Sequence, residues 1–345
     1  MKTTSFDTMM TMEEAKNNHS NQNIPRILLV GAGKMGSNHL RVLSADKSIQ
    51  VVGVVEPFLK PELPEGLKLY TSLIQVDPHS FDAALIATPT ETHFEVAKQL
   101  IELKKDLLVE KPLASTPAQA NELIDLAKAA GIKLFVGHVE RSNPAVRRLN
   151  EIIAKGWIGK AIHCSFTRVG GYPQNVKSGN NVLLDLAVHD LDVFQYLFGS
   201  FHVKSSIIHS TIIPGTADTA EILLKGNEGI SANIHVNWIT PTKIRSVRVT
   251  GTKGVVLVDY MLQTCTLYGG DLLNTPATEK FDYNDLQEHY RNMDKIEFGV
   301  HREEPLKVQL REWVKALHNK PCSLCSAEEA SKTVIEAQRA FEVSA

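Results

Sequence analysis

The stretch IPRILLVGAGKMG, residues 24–36, constrains this chain more than any other. An apolar run of strand length ends on a glycine-rich turn and passes at once into a helical pattern. A run of apolar residues without alternation reads as a strand buried on both faces. The pattern then repeats. IQVVGVV (49–55), FDAALIA (81–87), DLLVE (106–110) and IKLFVG (132–137) read as further strands. Lys34–Leu43, HFEVAKQLIELKK (93–105) and PAQANELIDLAKAAG (117–131) read as helices between them. The last has Thr116 ahead of Pro117 as a start signal and Gly131 as a stop. Strands alternating with helices predict an α/β fold with a doubly wound parallel sheet. Residues 24–143 are assigned to that domain. Residues 1–23 are polar and without period, and are expected to form a disordered tail.

After residue 143 the pattern changes. NPAVRRLNEIIAKG reads as a helix and AIHCSFTRVGG as a strand, followed by the helical stretch LLDLAVHDLDVFQYLFG (183–199). Strand-like runs with turn signals follow, with KGNEG and GTKG as hairpin turns, and two helices close the chain. Residues 144–345 are therefore expected to form an α+β domain on a large, mostly antiparallel open sheet. A chain of 345 residues is long enough for two such domains.

Gly31, Gly33 and Gly36 have GxGxxG spacing directly after a strand and before a helix. The first allows the tight turn, the second lets the backbone approach a pyrophosphate, and the third lets helix and strand pack closely. The helix start, with Lys34 and Met35, adds free N–H groups and a favourable dipole. No GK[ST] follows, so a P-loop does not fit. Glu56 ends the second strand, where a carboxylate bonds ribose hydroxyls and repels a 2′-phosphate. The expected cofactor is NAD rather than NADP. ATPTETH (87–93) and VEKP (109–112) end two further strands at the same crevice. They add Thr88, Pro89, Thr90, His93, Glu110 and Lys111 as cofactor-site candidates.

The stretch 183–199 is apolar enough for a core helix, yet it carries three aspartates and a histidine. Asp185, His189, Asp192 and Tyr196 follow i, i+4, i+7, i+11 spacing and share one stripe. Such a stripe lines a cleft or serves as buried polar glue. Oxidation of a carbinol needs a group that takes the hydroxyl proton, and a histidine suits that by its intrinsic pKa. Lys111 can stabilise alkoxide charge or, with a depressed pKa, act as the base itself.

The motifs GAGKMG, ATPTETH, VEKP and DLAVHDLD occur in the order and at the spacings of the Gfo/Idh/MocA oxidoreductases, which the chain resembles over nearly everything after residue 24. The resemblance implies a Rossmann domain followed by an open-sheet domain through which members commonly oligomerise. It implies a catalytic trio of Lys111, Asp185 and His189. VGHVERSNPAV, RVGGYP, NWITPTKIRSVRVTGTKG and EEPLKVQL are similar to the subgroup that oxidises the 3-hydroxyl of UDP-N-acetylglucosamine. In that subgroup a PLP aminotransferase then makes a 3-amino sugar for lipid A or surface polysaccharide. Ser142 and Gly171 depart from it, where an aromatic residue and a proline are more common. A UDP-sugar substrate implies diphosphate and uracil contacts, for which Arg141, Arg168, Lys177, Lys243, Arg245, Tyr172 and Trp238 are candidates. The alternatives are a dehydrogenase of another sugar, an inositol or a UDP-sugar uronate, and an NAD-binding regulatory protein without turnover.

A net charge of −2 gives no basic balance for nucleic acid or anionic membrane. The apolar runs are too short to span a bilayer and no secretory leader is evident, so a cytoplasmic location is expected. Cys322 and Cys325 form one CxxC, but the segment offers too few further ligands for zinc, so no metal is expected. SAEE (326–329) reads as a capping box opening the last helix.

Overall fold

A computed structural model describes residues 24–171, 181–212, 214–269 and 295–344. Its first sheet contains β1 (Arg26–Val30), β2 (Gln50–Val55), β3 (Leu69–Tyr70), β4 (Ala83–Ile86), β5 (Asp106–Glu110), β6 (Leu134–Gly137) and β15 (Cys325–Ser326). The order is β15-β6-β5-β4-β1-β2-β3, parallel except where β15 joins β6. Alternate residues of β1 feed two cores. Leu28 and Val30 pack on one face, and Ile27 and Leu29 on the other. This explains the unbroken apolar run, since a strand covered on both faces needs no polar side.

Helices α1 (Lys34–Ala45), α2 (Thr90–Glu102) and α3 (Pro117–Ala130) connect the strands. The Thr116 hydroxyl accepts from the N–H of Gln119 at 3.3 Å, and Gly131 is left-handed at φ +69°, so α3 starts and stops at its sequence signals. Strand order reverses between β1 and β4, which places a crevice at their carboxyl ends.

The second sheet has eight strands: β7 (Ala161–Val169), β8 (Phe201–His209), β9 (Thr219–Gly226), β10 (Ser231–Asn237), β11 (Ile244–Gly251), β12 (Gly254–Asp259), β13 (Thr264–Gly269) and β14 (Lys295–Phe298). Every pairing is antiparallel except β7 with β10. Helices α4 (Pro144–Ala154) and α5 (Val188–Phe198) cover its inner face, where Phe166, Ile234 and Val249 share a core with Leu149, Val188 and Leu191. The outer face carries Ile207, Leu223, Ile244 and Leu257, each between 40% and 53% exposed.

The expected assignment of all of 144–345 to one unit is corrected. Helix α6 (Pro305–Leu317) buries Leu306, Leu310 and Trp313 against Ile27, Leu29 and Leu43 of the first domain. Strand β15 extends the first sheet, and α7 (Ala327–Glu342) follows it. The amphipathic pattern predicted these helices, but a pattern does not name the core that receives it. The Ser326–Glu329 capping box is present at the start of α7. Cys325 is strand, and its thiol donates to Asp192. The expected tail 1–23 lies outside the described residues.

Candidate active site

The glycine-rich turn shows its three roles in the space around each residue. Gly31 has φ +93°, and a Cβ there would lie 2.6 Å from the Ala87 carbonyl oxygen of the neighbouring strand end. A Cβ on Gly36 would lie 2.1 Å from the Gly31 oxygen. A Cβ on Gly33 would meet nothing within 4 Å. Gly33 borders a cavity of about 640 Å³ that Gly31, Lys34, Met35, Glu56, Thr88 and Pro89 also line. Two glycines are thus demanded by packing, while the third leaves room for something other than protein. A turn of this shape at the start of α1 fits a dinucleotide.

Glu56 is buried, and burial works against its charge. Its Oε2 accepts from the Ala32 N–H at 2.9 Å, and Oε1 accepts from Phe58 and Leu59 N–H groups at 3.0 and 3.2 Å. These donors hold its pKa below the usual carboxylate range. A fixed anion therefore stands on the cavity wall.

Besides Lys111, four cofactor-site candidates lie off this cavity. Gly36 sits beneath the turn and serves it by packing alone. His93 is buried with Nδ1 2.9 Å from the Pro112 carbonyl and Nε2 2.9 Å from the Thr88 carbonyl. Burial lowers its pKa, and a neutral ring carries one N–H, so it donates to only one of these carbonyls; the side chain sits between the two strand-end loops rather than lining the cavity. Glu110 is 8% exposed and pairs with His39 Nε2 at 2.7 Å, joining β5 to α1. Thr90 opens α2, and its carbonyl faces Ser115. These three shape the crevice from behind.

The stripe on 183–199 divides in two. Residues Leu183–Ala187 form a wide π turn that runs into α5, and Gly199 at φ +77° ends the helix. A wide turn inserts an extra residue per repeat and so changes which face its residues present. Asp185, in that turn, and His189 stand at the cleft between the sheets. Lys111 reaches them from the end of β5. Its Nζ donates to the Asp185 carbonyl at 2.8 Å and to Asp185 Oδ1 at 3.2 Å. Trp238 Nε1–H donates to Asp185 Oδ2 at 3.1 Å. Burial raises the Asp185 pKa, but Lys111 and Trp238 hold it below the usual range. Asp185 therefore fixes Lys111 and makes no hydrogen bond to the imidazole.

Among the described residues neither ring nitrogen of His189 is hydrogen-bonded, and Nδ1 is buried. Burial, with Lys111 and Arg168 nearby, depresses its pKa well below the ordinary histidine value. The ring is thereby held toward its neutral form, near the Lys111 side chain.

The other half of the stripe turns away. Asp192 is 1% exposed and accepts both Nε and Nη2 of Arg141, at 2.8 and 2.7 Å. The Tyr196 ring lies under the same guanidinium. Asp190, next to His189 in sequence, accepts Arg168 Nε and Nη2 at 2.9 and 3.0 Å, and Glu140 accepts Nη1 at 2.8 Å. Burial opposes the charge on Arg168, but these carboxylates hold its pKa above the ordinary arginine value.

The structure does not bring Arg141, Arg168 and Trp238, expected at the substrate, to the surface of the cleft. All three are 3% exposed or less. The arginines are engaged by internal carboxylates, and the indole supports Asp185. Tyr172 and Lys177 lie outside the described residues. Sequence reasoning missed His138, His39 and Glu140. His138 is buried with neither ring nitrogen hydrogen-bonded, its Nδ1 3.8 Å from Asp192 Oδ2 and in reach of Cys325. Arg141 already holds both Asp192 oxygens. VGHVER was visible as a motif, but only the three-dimensional pairing shows which of its charges are internal.

Comparison with known proteins agrees with this architecture. Residues 25–138 match the oxidoreductase family model GFO_IDH_MocA, described as an NAD-binding Rossmann fold, and residues 146–257 match the GFO/IDH/MocA C-terminal domain. A UDP-N-acetylglucosamine 3-dehydrogenase of Acidithiobacillus ferrooxidans is 28% identical over 188 residues, 54% of this chain and 58% of that protein's length. The scyllo-inositol 2-dehydrogenase (NAD(+)) of Bacillus subtilis is 26% identical over 252 residues, 68% of this chain and 73% of the relative. The solved structure of the A. ferrooxidans enzyme GnnA covers 93% of this chain and 97% of its own, with TM-score 0.76 at 20% identity, a likeness of fold. With both domains matched in order and a cofactor cradle at the switch point of the first sheet, the chain belongs to the Gfo/Idh/MocA oxidoreductase family and carries its NAD-binding Rossmann domain.

Proposed function

We propose that the protein oxidises the 3-hydroxyl of UDP-N-acetylglucosamine, with NAD as cofactor, to the 3-keto nucleotide sugar. The observation that carries a dehydrogenase reading is the cleft trio: Lys111 held by Asp185 next to a neutral, unbonded His189. NAD, held by the glycine turn, Glu56 and Thr88, supplies the hydride acceptor when bound. The chain's own residues manage the proton. Lys111 donates a hydrogen bond to the substrate oxygen and stabilises negative charge there. His189 accepts the hydroxyl proton, since its neutral form is the favoured one. Asp185 and Trp238 keep Lys111 in place. A protein that only sensed dinucleotide would have no use for this arrangement.

The nucleotide-sugar assignment draws on the motifs of the second domain and on the relative named for that substrate. A PLP aminotransferase would consume the ketone on the way to a 3-amino sugar for lipid A or surface polysaccharide, in the cytoplasm. No helix among the described residues is long and apolar enough to cross a membrane. The outer sheet face, with four exposed aliphatic side chains on four strands, suits a second copy of the chain.

A second reading, oxidation of an inositol or free sugar, is favoured by the similar identity to an inositol dehydrogenase. One assay separates the two. Protein, NAD and UDP-N-acetylglucosamine are mixed with an aminotransferase and glutamate to trap the ketone. Sustained NADH and a 3-amino UDP-sugar by mass spectrometry are expected. NADH from myo-inositol or free sugars alone would replace the first reading with the second.

A further inference from the structure

Among the described residues, three of the cations beside Asp185 and His189 have carboxylate partners. Lys111 is bound to Asp185, Arg141 to Asp192 and Glu329, and Arg168 to Asp190 and Glu140. Arg245 differs. Among the described residues its guanidinium makes no hydrogen bond and no ion pair. It sits on β11 directly opposite Arg168 of β7. Paired residues of an antiparallel ladder point to the same face, here the inner one, toward α5 and the cleft. It is close enough to Asp185 and His189 to act on the ionisation of both.

Arg245 also lines a second cavity, of about 370 Å³, which shares Met35 with the cofactor cavity and reaches Asn38, Asn143 and Tyr260. The two carboxylates on that wall are already committed, Glu140 to Arg168 and Glu304 to Arg41. The cavity thus contains one guanidinium with all its donors open and no acceptor assigned to it. Burial and the nearby Arg168 work against the charge on Arg245, and the more distant Glu140, Asp190 and Asp185 offset this only in part. A half-buried cation without an anion is costly unless a ligand completes it.

We infer that Arg245 is the anion-binding residue of this cleft, and that the substrate carries an anionic oxygen group, a carboxylate or a phosphate, near the hydroxyl that is oxidised. The inference rests on reading the cleft as the dehydrogenase site. The planar guanidinium fits either anion in a two-pronged hydrogen bond. A neutral polyol would leave the charge uncompensated, so the residue selects between substrate classes as well as binding.

The test uses the full chain loaded with NAD, titrated calorimetrically with glucose, glucuronate and glucose 1-phosphate. At least one of the two anions should bind about 10- to 100-fold more tightly than glucose. The tighter arm names the source, carboxylate or phosphate. R245Q should abolish that preference while NAD affinity stays as in the parent. Should R245Q also impair NAD binding, R245K serves instead. It keeps the charge but not the fork, and should retain only part of the preference. Equal binding of glucose and both anions, or an anion preference that survives in R245Q, would overturn the inference. NADH production from UDP-N-acetylglucosamine, with the ketone trapped, reports separately on the dehydrogenase. If that turnover is unchanged in R245Q and the anions bind no better, the inference fails and the dehydrogenase stands. If neither the sugars nor UDP-N-acetylglucosamine bind or turn over on the NAD-loaded protein, both fail.

Discussion

Asp190 and Asp192 lie within seven residues of Asp185, yet the two groups of carboxylates do different things. Asp190 and Asp192 are sealed in the interior, and each holds an arginine through two hydrogen bonds. Asp185, 43% exposed at its side chain, holds a lysine at the cleft beside a histidine with no partner. The residue types are the same, so composition cannot separate them. What separates them is whether the bonding capacity around each charge is closed. A buried charge with its lone pairs and donors matched is a structural element. A charge set next to unmatched groups in an accessible cleft is available to a ligand. The contrast repeats among the arginines, where Arg168 is closed and its cross-strand neighbour Arg245 is open.

The largest expected effect tests the open set. Lys111→Ala and His189→Ala should each lower turnover by about 10²- to 10⁴-fold. NAD affinity should stay nearly unchanged, because neither side chain borders the glycine turn. Stability should move by less than ~1 kcal/mol for Lys111→Ala, whose ion pair is partly exposed. Steady-state kinetics alongside NAD titration measures this. Full turnover in both variants would place the chemistry elsewhere.

The closed set should respond in the opposite way. Asp190→Ala leaves Arg168 buried without its main partner, and should lower unfolding free energy by about 3–5 kcal/mol. Replacing both, Arg168→Met with Asp190→Leu, should recover most of that loss, because no charge is then stranded. Denaturant unfolding reads both variants. A mild effect from Asp190→Ala would erase the distinction between the two groups.

The smallest effect concerns pH. His189 is neutral by burial and by the positive groups around it. Its protonated form is therefore the disfavoured one, and activity needs the neutral ring. Initial rates should stay flat as pH falls through the ordinary histidine value of about 6.5, and decline only below it. A midpoint at or above 6.5 would mean that another group limits the reaction.

Much of this was legible beforehand. The unbroken apolar runs marked strands covered on both sides, and Gly31, Gly33 and Gly36 marked the turn. Lys111, Asp185 and His189 were picked out by residue type and motif order. The misreadings share a cause. Arg141, Arg168 and Trp238 look like ligand contacts because arginine and tryptophan often are, but their partners lie 51, 22 and 53 residues away in sequence. His93 and Glu110 sit in the right loops and point behind them.

The sequence by itself determined the local geometry: strand by apolar run, helix by period and cap, turn by glycine. These follow from interactions between residues a few positions apart, which a linear string contains. Only the tertiary structure decided which charges face each other, and that the last helices return to the first sheet. It alone decided that Arg245 is left open while Arg168 is closed. Pairing is a property of distance in space, and a buried charge takes its role from whatever stands within about 3 Å of it.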